Sequence, residues 1–494
     1  MKAKKLPDFI SFATLFSIES VIKSICNLIF EMQKESNDGV GFLGKQYSYR
    51  YCGKLHYVYA VQTWILDLLF ELIKHYTSFG NKTITKNETL HLIKLYNTYS
   101  NKKPNCDVED IFLYVYGFLG EQMKIETQGN LIDNFARENY ILEFVSPKDT
   151  KYNINIHEIF KNETGYSEKI FSAMLILIWS YCNKKNPTIN YRYMRLNGTY
   201  PFSNDDLFKV IDRYSATLDE IKRNDIGRQF FYSKPFIKIG DTYISVSPYL
   251  VLCLFTNSNY WIIRNYYNNL DNKSENFILA FGRYFELYVE EVFSNCLSAN
   301  EYTRICESTR KRADWKLNIL GREILIEQKS TISAIGIKQN NTDVEKLKNY
   351  IYRTWYKAAK QLNETENDLN LNEPVKIILL YEDYYKPTAL DELYRLYPDL
   401  VNDGRLWLMT INELEIFMMI YSTAPDVAQR IFNKKYSAET KRNKCERDCM
   451  ERDWMNLFTK EDIEHDIYLN NFGIYNQLYE TLNILGEGGD RFGK

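Results

Sequence analysis

The spacing of apolar residues changes once along this chain, near residue 230, and that change limits the folds open to it. Before it, "FATLFSIESVIKSICNLIFEMQKE" and "VYAVQTWILDLLFELIKHY" repeat apolar side chains every three to four positions, as helix faces do. "NETLHLIKLYNTY", "DVEDIFLYVYGFLGEQM" and "SEKIFSAMLILIWSYC" continue the pattern, and "NDDLFKVIDRYSATLDEIKR" opens on an Asn-Asp helix-start signal. After the change, Phe236–Ile239, Gly240-Asp241 and Thr242–Val246 read as a hairpin. A helix through "YLVLCLFTNSNYWIIRNYY" leads to the polar break "NNLDNKSEN" and then to the helix "FILAFGRYFELYVEEVFSNCL". Short strands then mix with helices: "ADWKLNIL", "REILIEQKS", "DVEKLKNYIYRTWYKAAKQLNE", "VKIILLYED", "ALDELYRLYP", "RLWLMT" and "NELEIFMMIYS". Helix–strand–strand–helix–strand–helix–strand is the order of an α/β domain.

At 494 residues the chain exceeds one average domain. The texture divides it into a helical domain at 1–229, a hairpin-and-helix connector at 230–268, a mixed α+β and α/β domain at 269–422, and a charged helical extension with a tail at 423–494. The apolar runs "FSAMLILIWSYC" and "YLVLCLF" fall short of the roughly 20 residues that span a bilayer, so no membrane role is expected. Asp8 and Glu19 interrupt the opening "MKAKKLPDFISFATLFSIES", against a signal peptide, and the nine Cys are scattered like reduced thiols. A cytoplasmic protein is the expectation. Cys445 and Cys449, one helical turn apart, match no metal-site spacing, and "GEGGDRFGK" lacks the Lys-Ser/Thr of a phosphate loop.

Gly321-Arg322 separates two strand-like runs, and a two-residue turn there sets Leu320 against Glu323. Asp314 then lies opposite Lys329, and Lys316 opposite Glu327. Strand residues alternate faces, so Asp314, Glu327 and Lys329 share one side while Leu317, Ile319, Ile324 and Ile326 take the other, fit for a core. Glu-x-Lys by itself means little: it recurs at Glu220–Lys222 and Glu439–Lys441 inside helical, charged segments. The strand, the upstream Asp and the flanking helices distinguish the instance at Glu327.

Asp314, followed after a gap by Glu327-Gln328-Lys329 at the end of an aliphatic strand, resembles the PD-(D/E)xK signature of restriction-endonuclease-like phosphodiesterases, although Ala313 stands where that pattern has Pro. The resemblance covers the α/β segment alone. It implies a restriction-endonuclease-like core and a metal-dependent endonuclease. Asp314 and Glu327 would hold Mg²⁺ or Mn²⁺, with the Gln328 carbonyl and Glu286 of the preceding helix as further ligands and Glu290 as the alternative to Glu286. Lys329 would hold the scissile phosphate. On the following helix, Lys357, Lys360 and Gln361 are the implied phosphate-side residues. The chemistry suits these residue types: carboxylates bind hard cations that keep their water, and a bound cation activates that water.

The net charge of −2 confines any nucleic-acid footprint to a local patch. From Glu301 to Gln361 there are 13 Lys and Arg against 7 Asp and Glu, and Arg310, Lys311 and Arg312 stand just before Asp314. These residues are candidates for phosphate contacts. The implied partner is nucleic acid, DNA ahead of RNA because most members of the family cut DNA, and the implied setting is restriction or anti-phage defence. The helical regions are candidates for target recognition, a protein partner or homo-oligomerisation. The alternative is a non-catalytic nucleic-acid- or partner-binding protein on a degenerate nuclease fold.

Overall fold

The computed structural model describes residues 6–31, 44–51, 54–61, 63–100, 131–152, 154–184, 187–194, 196, 200–225, 227–270, 274–305, 312–330, 344–381, 389–440, 454–458 and 466–486. The helix expected at 107–123, the pair Cys445 and Cys449, and most of the Gly-rich tail lie outside these residues.

Helices dominate the first half and a mixed sheet organises the second. Leu131–Tyr140 (α1) is a helix that the reading of apolar spacing did not single out, whereas the period-based expectations hold for the helices Glu168–Lys184 (α2), Pro248–Asn269 (α3) and Ser274–Cys296 (α4). They fail in three places. The first amphipathic run is two helices, Asp8–Ala13 and Ile18–Glu31. The second begins as a strand: Gly44–Tyr51 (β1) pairs antiparallel with Lys54–Val61 (β2), and its helix starts only at Thr63. The "NDDLF" helix is capped by Ser203, not by the Asn-Asp pair, and stops at Arg213. There Ser215–Thr217 (β4) pairs with Phe236–Ile239 (β5), and Thr217 caps a new helix at Leu218 through a reciprocal bond with Glu220. With Thr188–Asn190 (β3) and Thr242–Ser245 (β6) these strands form a four-stranded sheet in the order β3-β6-β5-β4.

The second sheet holds five strands in the order β11-β10-β9-β8-β7. They are Tyr302–Arg304 (β7), Trp315–Ile319 (β8), Arg322–Lys329 (β9), Val375–Leu380 (β10) and Leu406–Thr410 (β11). β7, only three residues long, is too short for its periodicity to be read from sequence. β8 pairs antiparallel with β7 and β9, whereas β10 runs parallel to both β9 and β11. Parallel neighbours need crossover helices. Val344–Ile351 (α5) and Lys357–Asp368 (α6), joined by a π-helical turn at Tyr352–Tyr356, make the first crossover, and Ala389–Leu396 (α7) lies in the second. Thr410 ends β11 and caps Ile411–Thr423 (α8) through a reciprocal bond with Glu413, which accounts for the abrupt strand-to-helix turn.

Alternation along the strands gives the sheet two buried faces. Trp315, Leu317, Ile324, Ile326, Ile377 and Trp407 join a core that also takes in Phe9, Leu175, Leu250, Phe285, Leu414 and Leu478. That core is continuous from Phe9 to Leu485, so it joins the four segments into which the sequence divides. Leu325, Ile378, Leu380, Leu406 and Leu408 face a second core with Trp355, Ala359 and Leu362 of the first crossover.

Buried polar contacts bind the helical half to the sheet half. Arg137 of α1 grips Glu415 of α8 with two bonds, Nε to Oε1 at 2.6 Å and Nη2 to Oε2 at 2.5 Å, and Tyr288 of α4 donates to the same Oε1 at 2.6 Å. Tyr475 donates to Asp133 of α1, and the Asn476–Ile484 helix (α9) that it opens sends Glu480 to Lys169 of α2 at 2.5 Å. No helix among the described residues is long and apolar enough to cross a membrane.

Candidate active site

The hairpin β8–β9 places the signature residues, and its register differs from the one read from sequence. Leu320 and Gly321, not Gly321 and Arg322, are the turn residues, with φ of 55° and 66°. Two consecutive positive φ angles make the primed turn whose twist matches that of the strands. Ile319 therefore faces Arg322, Lys316 faces Leu325 and Trp315 faces Ile326. The pairing seats Trp315 in the core with its ring 5.4 Å from that of Phe293. A slip of two positions returns every side chain to its own face. The expected opposition of Asp314 to Lys329 and of Lys316 to Glu327 is thus corrected, while the common face stands. Asp314 comes next after the Trp315–Ile326 pair, across from Glu327, and its N–H donates to the Ile326 carbonyl at 3.0 Å.

Glu327 and Lys329 alternate with Leu325 on the face covered by α6. Glu327 is only 3% exposed. Lys329 Nζ donates to Glu327 Oε1 at 2.5 Å and to Gln361 Oε1 of α6 at 3.2 Å. Asp314 Oδ2 accepts the Gln328 N–H at 2.8 Å, and the Gln328 side chain accepts from the Trp315 indole at 3.1 Å. Burial, and then the charge of Glu327, push the Asp314 carboxyl well above the usual carboxylate range; Glu286 adds to the rise, and the Gln328 N–H and Lys329 oppose it. Two carboxylates and one ammonium thus share a desolvated space at the carboxyl end of β9. In open sheets with parallel strands that end is where ligands settle.

The surroundings close in from both sides. Tyr381, just past β10, donates its N–H to the Lys329 carbonyl at 3.0 Å, and its ring meets those of Phe281 and Phe285 of α4. Gly282 lets α4 approach: a Cβ there would sit 3.3 Å from Ser330 Oγ. At the opposite end of the parallel strands the charges balance. Lys376 reaches Glu366 at 2.9 Å, and Arg405 reaches Glu366 and Asp403, both at 2.6 Å, two cations against two anions. The β9 end instead sets two desolvated carboxyl groups, Asp314 and Glu327, beside the single ammonium of Lys329.

Other candidates fall in different places. Glu286 is held by Arg283 at 2.7 Å and by Arg304 of β7, so its carboxylate is in ion pairs although its charge reaches Asp314. Sequence reasoning missed both arginines. Glu290, on the same helix, is half-buried. Arg312 bonds Asp368 at 3.2 Å, and next to it the Ala313 N–H donates to Thr365 of α6 at 2.8 Å, docking this strand entry on the helix. Arg310 and Lys311 lie outside the described residues. Of the α6 candidates only Gln361 meets the signature residues. Lys357 lies over the Tyr352 ring, and Lys360 pairs with Asp399 at 3.2 Å.

Among the described residues no three His, Cys, Asp or Glu side chains are gathered as a ready-made metal cluster. The donor chemistry at Asp314 and Glu327 nonetheless suits a hard divalent cation: both are oxygen ligands, both are desolvated, and their mutual repulsion is what a cation relieves. No family model matches the chain, and no curated protein or solved structure is similar enough to count as a relative.

Proposed function

We propose that this chain is a metal-dependent nuclease that hydrolyses phosphodiester bonds, with a restriction-endonuclease-like core built on β7–β11. The observation that carries the reading is the convergence of Asp314, Glu327 and Lys329 on one face at the end of β9, with Gln361 reaching in from α6. Asp314 and Glu327, with the Gln328 carbonyl, are the residues that would hold Mg²⁺ or Mn²⁺; Glu286 joins them only by exchanging its arginines for the ion. The ion, when bound, supplies activation of water and polarisation of the phosphate.

The chain's own residues do the rest. Lys329 is anchored by Gln361 and Glu327, which aims its ammonium along the carboxylate face, where a phosphate oxygen gains charge in the transition state. Gln361 fixes that direction without adding charge. The Gln328 N–H orients Asp314, and Trp315 locks Gln328, so the first carboxylate is set by the hairpin itself. Phe281, Phe285 and Tyr381 keep water from the rear of the site. By the same resemblance, DNA is the preferred substrate, and restriction or anti-phage defence the setting. Free thiols at Cys26, Cys182, Cys253 and Cys296 support a cytoplasmic location.

The rival reading, a non-catalytic nucleic-acid- or partner-binding protein, is favoured by the arginine pairing of Glu286. One assay separates them. Purified protein is incubated with labelled single- and double-stranded DNA in Mg²⁺ or Mn²⁺; cleavage is expected, and it disappears in EDTA and in Asp314→Ala, Glu327→Ala and Lys329→Ala. Undiminished cutting in excess EDTA, or full activity in Glu327→Ala, would sink the assignment.

A further inference from the structure

The outer side of the first crossover carries a feature that hydrolysis alone does not require. The helix widens into a π-turn at Tyr352–Tyr356, a departure from α geometry that recurs at functional positions. There the rings of Tyr352 and Tyr356 stack with centroids 5.4 Å apart and planes 22° from parallel. Tyr356 stacks in turn on Tyr397, just beyond α7, at 4.2 Å and 27°. Cations surround the rings. Lys357 Nζ lies 5.3 Å from the centre of Tyr352, and Lys360 Nζ lies 5.4 Å from that of Tyr356. The charge of Lys348 acts on the Tyr397 hydroxyl, and Arg353 is exposed on the same turn. Asp399, which accepts from the Tyr356 hydroxyl at 2.8 Å, is the acid that Lys360 meets.

Tyr356 and Tyr397 are half-buried against the second core, but Tyr352, at the outer end of the stack, is 41% exposed. Stacked rings also help to pack helices together, but that packing leaves the outer face of Tyr352 open to solvent. Flat π-faces interleaved with ammonium groups are what a flexible polyanion carrying flat bases requires. In a duplex the base faces are already stacked, so such a surface selects unpaired bases. Its position also matters. Nine residues of helix, about 13 Å at ~1.5 Å per residue, separate Tyr352 from Gln361, and Gln361 bonds Lys329.

We propose that Tyr352, Tyr356 and Tyr397, with Lys348, Lys357 and Lys360, form a stacking platform for the unpaired bases of a single-stranded nucleic acid and deliver that strand to Lys329. The delivery rests on the nuclease reading; the platform itself does not. A protein partner is the less favoured occupant, because among the described residues the basic side chains named here outnumber the acid at Asp399.

The test measures binding of a short labelled single strand, and of its duplex, to the full-length protein in EDTA. The single strand binds more tightly than the duplex. Tyr352→Ala weakens single-strand binding roughly 5- to 150-fold, the range expected for one lost base stack, and leaves duplex binding unchanged. Tyr352→Trp binds at least as well as the wild type, which separates stacking from a folding defect. Equal single-strand affinity in Tyr352→Ala and wild type overturns the platform, as does an equal loss for both substrates. Cleavage is scored separately with Mn²⁺. Cleavage that persists beside an indifferent Tyr352→Ala removes the platform and leaves the nuclease; a Tyr352-dependent affinity without any cleavage does the reverse.

Discussion

Replacing Arg137 by Met tests whether the helical half and the sheet half melt together. The Arg137 side chain is 1% exposed and that of Glu415 2%, so the substitution leaves a carboxylate buried among apolar residues with only the Tyr288 hydroxyl bonded to it. Breaking a buried pair in this way costs about 3–5 kcal/mol. Unfolding entropy near the midpoint is about 2.1 cal/mol/K per residue. For 494 residues melting as one unit that is about 1 kcal/mol/K, and a loss of ~4 kcal/mol lowers Tm by about 4 °C. A separate unit of about 150 residues would instead drop by about 13 °C while the remainder kept its midpoint. Because one apolar core runs from Phe9 to Leu485, the single small shift is expected in calorimetry. Arg137→Met with Glu415→Met and Tyr288→Phe leaves no buried polar group of the triad behind and recovers most of the loss. A single variant as stable as wild type, or a triple variant no better than the single one, would refute the reasoning.

Asp314→Asn should raise Tm in EDTA, since it removes a buried carboxylate that Glu327 repels, and should abolish the upward shift that Mn²⁺ gives the wild type; a metal-induced shift that survives in the variant speaks against the site. Burial pushes the Cys26 and Cys182 thiols up to about 12, so the folded state keeps their protons where the unfolded chain loses them. Stability therefore falls as pH rises from about 9 towards 12, and both thiols resist alkylation at pH 8 until denaturant is added; rapid labelling of the native protein would contradict this. A fragment starting at Asn269 should be insoluble, because it strips α3 from Phe277 and Phe281 and leaves Glu415 without Arg137. A soluble, cooperatively melting fragment would show that the sheet half folds alone.

Much of this was legible because local periodicity carries it. The β5–β6 hairpin, the β8–β9 strands and the helices α2 to α4 follow directly from apolar spacing. The alternation in β1 and β2 was equally available but was hidden by the long helix that follows it. The register of the signature hairpin depended on whether Leu320 would accept a positive φ, which composition does not announce. Its two-residue slip spared the site because strand faces repeat every second residue. Contacts such as Arg137 with Glu415, 278 positions apart, leave no local trace. Neither does the capture of Glu286 by Arg304, since β7 is too brief to be foreseen. The tyrosine platform did leave one: Tyr352 and Tyr356 stand one turn apart, each followed by a lysine in reach.

The docking of α9 on α1 and α2 has a consequence for biosynthesis. Asp133 and Tyr475 are 342 positions apart. At about 5–20 residues per second, roughly 17 to 70 s pass between the emergence of the one and of the other from the ribosome. Throughout that interval the nascent helices hold an apolar face towards a partner that does not yet exist, where Leu478 will later pack. The packing of α1 and α2 is therefore completed only after synthesis has reached α9. A frameshift just upstream of Tyr475 would unseat residues translated roughly 17 to 70 s before it.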